Sequence, residues 1–170
     1  PFFKAFHSVV LYFSEDYGEA MSQMNAALEL FPTLPFALQV QSNIAFQLGD
    51  LQLTLDAQRR LMQALGNGPA LEVIDDGDDV ASSLRRLADL TAAQSHEAKN
   101  GGMWVSFRYF HVGDVDLGFE WAANAIDQRD PNAPYIRGGF PELRRYRDDS
   151  RYDDLIAKLD RSRHGVYFDT

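Results

Sequence analysis

An all-α chain of stacked antiparallel helix pairs is the fold class that this sequence predicts, and three observations carry it. Apolar residues recur in steps of three and four almost throughout, with no sustained strict alternation. The breaks between these stripes are only a few residues long and rich in Pro, Gly and Asp. Asp16 and Asp50, each opening the second helix of a pair, stand 34 residues apart.

The first stripe is Phe2/Phe3, Phe6, Val9/Val10 and Phe13, and the second is Ala20/Met21, Met24, Ala27/Leu28 and Phe31. Phe36/Ala37, Val40, Ile44 and Leu48 make the third, and Leu51, Leu55, Leu61/Met62 and Leu65 the fourth. Ser14-Glu15-Asp16 and Gly49-Asp50 separate the helices within each pair. Pro32 and Pro35 end the second, because proline cannot donate the helical hydrogen bond and restricts the residue before it. Gly66-Asn67-Gly68-Pro69 ends the fourth. An acidic turn, Asp75 to Asp79, follows; its last members are placed to cap a helix from Val80 to Lys99, which Asn100-Gly101-Gly102 terminates. Met103–Val112 and Val115–Asp127 are two further helices divided by Gly113-Asp114, and Pro131 and Pro134 break the chain again. A short helix after Pro141 and a last one around Tyr152, Leu155, Ile156 and Leu159 complete it, with Arg163 to Thr170 read as a frayed end or short extension.

Composition narrows the function classes. The 170 residues are 45% hydrophobic and 24% charged, which suits a folded domain with a real core. With 25 acidic against 16 basic residues the net charge is −9, which disfavours nucleic-acid binding. Residues 137 to 163 hold eight basic and six acidic side chains, so the remainder carries −11. An acidic body with a mildly basic tail suits a protein-binding surface, unless the tail is simply a solvated helix. There is no cysteine, which excludes disulfides, thiolate-bound zinc and a cysteine nucleophile. No apolar run is long enough for a membrane span, and no signal-peptide layout opens the chain, so a cytoplasmic location is expected. The start at Pro1 rather than Met reads as a piece of something longer.

Catalytic and metal chemistry find no motif. His7, His96, His111 and His164 are isolated, without ligand spacing, and no phosphate-cradling or nucleophile-elbow run occurs. Asp75 to Asp79 embeds Gly77 but lacks the alternating ligands and terminal Glu of a calcium loop. The reading is therefore no enzyme, no cofactor and no metal. Trp104 and Trp121 are read as anchors of the third helix pair, with ligand stacking as the other possibility.

The 34-residue helix-turn-helix period, together with Tyr17, Ala20, Met24 and Ala27-Leu28-Glu29-Leu30-Phe31-Pro32, resembles the tetratricopeptide family. A second unit keeps Ser42, Ile44, Ala45 and Gly49-Asp50 but has Thr54 in place of Ala and Gly66 in place of Pro. A third recurs around Gly113-Asp114, with Gly118, Ala125 and a Pro131 one residue late; Ser8, Ser42 and Ser106 share one small-residue position. The step from Asp50 to Asp114 is 64 residues, so the segment between is a degenerate or replaced unit. The run from Gly113 through Phe119-Glu120-Trp121, Arg129-Asp130-Pro131 and Phe140-Pro141-Glu142-Leu143-Arg144 to Arg151-Tyr152 is similar to a bacterial C-terminal tail. That tail ends tetratricopeptide proteins fused to winged-helix, adenylate cyclase or kinase domains. Ser150 stands where such tails carry Pro.

The resemblance implies one domain over 1–170: repeats 1–33 and 34–66, a degenerate segment 67–100 with the long helix, repeat 101–131 and a cap 132–170. It implies a right-handed superhelix whose concave wall is lined by Tyr12, Phe13, Asn43, Phe46, Gln47, Phe107, Phe110 and His111. Rings and amides together suit an extended peptide. Phe13, Phe46 and Phe110 equally fit an inter-repeat core, while Asn43 is an amide on an apolar helix that needs a partner. The function implied is a protein-interaction or regulatory module binding a peptide or partner domain, at the C-terminal end of a larger bacterial signalling or transcription-regulating protein. Nucleic acid and membrane are not expected partners. One rival is a homo-oligomerisation scaffold, a possible homodimer, burying Phe2, Phe3 and Phe6 against a second copy. Another is the sensor region of an adenylate cyclase whose catalytic domain lies elsewhere. Lysines are only Lys4, Lys99 and Lys158, which does not support a carboxylate clamp.

Overall fold

A computed structural model describes residues 2–76, 79–98 and 101–164, and these are helical with no strand among them. Four helices come first: α1 (Phe2–Phe13), α2 (Tyr17–Leu30), α3 (Pro35–Gln47) and α4 (Leu51–Leu65). Then follow α5 (Gly68–Asp75), α6 (Val80–Ala98), α7 (Gly102–His111) and α8 (Val115–Asp127). A 3-10 turn (Ala133–Arg137), α9 (Pro141–Arg144) and α10 (Ser150–His164) end the described chain. No helix among the described residues is long and apolar enough to cross a membrane. Lys99, Asn100 and the expected extension from residue 165 onward lie outside the described residues, as do Gly77 and Asp78 of the acidic turn.

Three of the pairs are joined by the same elbow. Before each second helix one residue takes a left-handed φ: Glu15 at 65°, Gly49 at 78° and Gly113 at 76°. That turn lets the next backbone N–H reach back, from Asp16 to Leu11 O, Asp50 to Ala45 O and Asp114 to Tyr109 O, at 2.9–3.0 Å. Each Asp then caps the following helix, its carboxylate accepting from the N–H of Glu19, Leu53 or Leu117. Across each pair a buried serine hydroxyl donates to a carbonyl twelve residues on: Ser8 to Ala20, Ser42 to Thr54 and Ser106 to Gly118, at 2.7, 3.3 and 2.7 Å. A hydroxyl directed at the partner backbone needs a small residue there. Ala20, Thr54 and Gly118 are all buried or without a side chain. At Gly118 the fit is closest, since an added Cβ would stand 2.6 Å from the Phe110 ring.

The chain divides into two compact units, Pro1–Leu87 and Ala88–Thr170, with the division inside α6. In unit 1 the packing is sequential: α1 on α2, α2 on α3, α3 on α4 and α4 on α5, with α1 also touching α3. Helix α3 is the centre; Ala37 to Ala45 are all buried. Helix α5 occupies a stretch that the sequence alone presents as a break and an acidic turn. Asn67 caps it and Pro69 sits in its first turn, where the missing N–H costs nothing, so Pro69 starts a helix instead of ending one. At the far side of the acidic turn, Asp79 accepts from Ser82 N–H at 2.8 Å, the capping role expected of it, and this bond lowers its pKa.

In unit 2, α7 packs on α8, and α8 in turn on the 3-10 turn and α10. The second half of α6 joins them through Ala88 and Ala92, which cluster with Val105, Tyr109 and Trp121; Tyr109 OH donates to Asp89 at 3.0 Å. The N-terminus of α7 begins at a glycine with no side-chain cap. Buried Asp130, just past α8, fills that role: its carboxylate accepts from Met103 N–H at 3.2 Å and from Asn132 N–H at 2.8 Å.

Candidate functional site

Unit 1 holds five of the eight residues singled out for a concave face. Tyr12 is buried, its ring 5.4 Å from Phe13 and 6.2 Å from Tyr17. Asn43 is buried too, and its side-chain oxygen accepts from Gln39 Nε2 at 3.0 Å, so one turn of the same helix supplies the partner that this amide needs. Phe13, Phe46 and Gln47 are half-buried. They are the members of the set in unit 1 that keep part of their surface exposed.

Between α2, α3 and α4 runs a polar ladder that the sequence reading did not single out. Gln41 Nε2 donates to Asn25 on α2 at 2.8 Å, and Gln58 Nε2 donates to Ser42 Oγ at 2.8 Å. Arg60 donates to Gln41 Oε1 at 3.3 Å and to Pro32 O at 3.1 Å. Helix α3 is buried on nearly every side, so its amides must be satisfied by its neighbours, and they tie α2, α3 and α4 together. The signal was present as Gln39, Gln41 and Asn43 on one short helix, but a glutamine in isolation reads as surface.

Unit 2 places the other three in a different setting. Phe107 and Phe110 are fully buried, and His111 is buried. The chain's own segment 140–146 encloses them. Phe140 packs edge-on to Phe107 with ring centres 4.6 Å apart, and Tyr146 stacks on Phe110 at 5.1 Å. Glu142, with no exposed surface, brings its carboxylate to 3.6 Å from His111 Nε2. Burial pushes the His111 pKa down, Glu142 opposes this, and the nearby cations Arg108 and Arg145 add to the depression. Arg108 is itself buried and is pushed down to about 10, so it remains charged at neutral pH. The tail run that carries the family resemblance is thus the segment that covers α7. Trp121 is buried in the α6–α7–α8 cluster, while half-buried Trp104 meets Phe107 edge-on at 5.6 Å.

The end of the tail is fixed by charge. Arg151 forms a two-pronged pair with Asp149, at 3.0 and 2.7 Å, reaches Asp116 at 2.6 Å and lies 4.5 Å over the Phe119 ring. These contacts hold the Asp149 carboxyl down at about 2 and raise the guanidinium pKa. Of the lysines, Lys158 is paired with Asp127 at 2.7 Å and Lys4 is exposed on α1. Among the described residues no group of three or more acidic or histidine side chains is arranged to hold a metal ion. No family model, curated protein or solved structure matches the chain.

Proposed function

We propose that this chain is a non-catalytic protein-interaction module of tetratricopeptide-like helix pairs. In this reading the pairs α1–α2 and α3–α4 of unit 1 are successive turns of a right-handed solenoid, and their first helices offer an extended peptide a shallow face at Phe13, Phe46 and Gln47. The observation that carries it is the recurrence of one elbow: a left-handed residue, an aspartate cap and a serine strap at matching places in three pairs. Pairs so alike stack through shared sides and leave an outer wall free for a ligand. In this reading, which rests on the tail resemblance, the module belongs to the C-terminal region of a larger bacterial, cytoplasmic signalling or transcription-regulating protein.

The test is to select binders from a random peptide library on the full chain and measure them by calorimetry. The double variant Phe46→Ala/Gln47→Ala is expected to weaken a selected peptide at least about tenfold, roughly the cost of losing one anchoring ring and its neighbouring amide. Unchanged affinity would place the ligand elsewhere and overturn the reading. The scarcity of lysine adds a second expectation: peptides ending in a free carboxylate and in an amide bind equally, and a tenfold preference for the carboxylate would contradict it.

A further inference from the structure

Helix α1 carries a packing face that the described residues leave exposed. Phe3, Phe6 and Val10 are 92%, 59% and 61% exposed. The residues at the same register in α3, 34 positions on, are Ala37, Val40 and Ile44, and all three are buried. At this register the face meets other helices in α3, whereas in α1 the described residues leave it exposed. Half-exposed Phe2 widens the patch, and Phe36 continues it onto the start of α3, its ring 5.6 Å from that of Phe6.

We propose that this face binds a second copy of the chain, α1 lying antiparallel to its counterpart across a two-fold axis near Phe6 and His7. Three features select that occupant over another protein. The first is area. At roughly 200 Å² per aromatic side chain, the exposed parts of Phe2, Phe3, Phe6, Val10 and Phe36 offer on the order of 500–600 Å². Two such patches reach ~1,100 Å², near the lower bound of stable interfaces, before flanking polar surface is counted.

The second feature is self-complementarity. An antiparallel two-fold centred between residues 6 and 7 sets large Phe3 of one copy over small Val10 of the other, twice, with the two Phe6 rings at the centre. An isologous contact requires this kind of symmetry in the spacing. The third is charge. The chain carries −9, yet residues 2–13 contain no acidic side chain and only Lys4 as a permanent cation. Two copies meeting at α1 keep their acidic surfaces apart, where most other approaches would bring like charges together.

The proposal does not depend on the peptide-binding reading, and its test leaves Phe13, Phe46 and Gln47 untouched. Sedimentation equilibrium of the full chain, spanning a dissociation constant on the order of 10 µM as suits a small interface, should show twice the 19.2 kDa monomer mass at the upper end. Phe3→Asp/Val10→Asp should give the monomer mass throughout, with unchanged helical circular dichroism because both side chains are already exposed within one copy. The absence of native cysteine allows a register test. Mixed Phe3→Cys and Val10→Cys chains, gently oxidised, should form the mixed disulfide several-fold more than either like-with-like product. A wild type that stays monomeric, a dimer indifferent to the two aspartates, or preferred like-with-like disulfides would each overturn it.

Discussion

The two units treat the same helix position in opposite ways. In unit 1 the first-helix residues Phe13, Phe46 and Gln47 remain half-open, and the buried amides of α3 are satisfied within that helix or by α2 and α4. In unit 2 Phe110 and His111, which match Phe46 and Gln47, and Phe107 one turn earlier are closed over by Phe140, Glu142 and Tyr146 from the same chain. Phe46 and Phe110, at one register, thus differ in that a later segment returns to cover the second. Unit 2 shows what a returning stretch of chain, here the short helix α9 and its flanks, looks like when seated on α7: a ring on a ring, a carboxylate beside an imidazole, and a second ring stacked.

The largest effect expected from this contrast is on stability. Phe107→Ala should cost about 3–5 kcal/mol, because it opens a cavity between α7 and Phe140 that neither can fill. Phe46→Ala should cost well under half as much, since a half-buried ring already shares its surface with water. Urea unfolding of both variants checks the ordering, and equal losses would break the distinction between the units.

A smaller and pH-dependent effect follows from His111. Burial lowers its folded pKa, so as pH falls below about 6.5, the value of an unperturbed histidine, the unfolded chain takes up a proton more readily than the folded one. Stability from this group is therefore complete above that pH and declines below it, until the folded-state pKa is passed. His111→Gln should flatten the slope of unfolding free energy between pH 7 and the folded pKa. Denaturant titrations of the parent chain and this variant at several pH values check it.

The smallest effect tests the likeness of the elbows. Glu15 adopts the left-handed φ that glycine occupies in the other two. A side chain there costs on the order of 1 kcal/mol, part of which glycine returns through its freer unfolded chain. Glu15→Gly should thus raise the unfolding midpoint slightly, whereas Gly49→Glu and Gly113→Glu should lower it.

Most of the fold was legible because its determinants are local. Apolar steps mark the helices, and the Asp16, Asp50 and Asp114 caps mark where second helices start. Helix α5 was not legible: the signals that stop α4, Gly66 and Pro69, are the same ones that begin the next helix after an Asn67 cap. The candidate site was legible only in part. Phe107 and Phe110 carry a ring pattern common to cores and binding walls, and the choice is made by residues more than thirty positions downstream. Glu142 gave no warning, since a glutamate reads as surface until a buried histidine is brought beside it.

Asp130 has a mechanical consequence. By holding the start of α7 while standing just past α8, it joins the two free ends of a hairpin whose other ends already meet at the Gly113 elbow. The pair becomes a closed loop, so neither tip can unravel first. Its amide protons should then exchange together, in a single concerted opening, with Met103 N–H no faster than those at mid-helix.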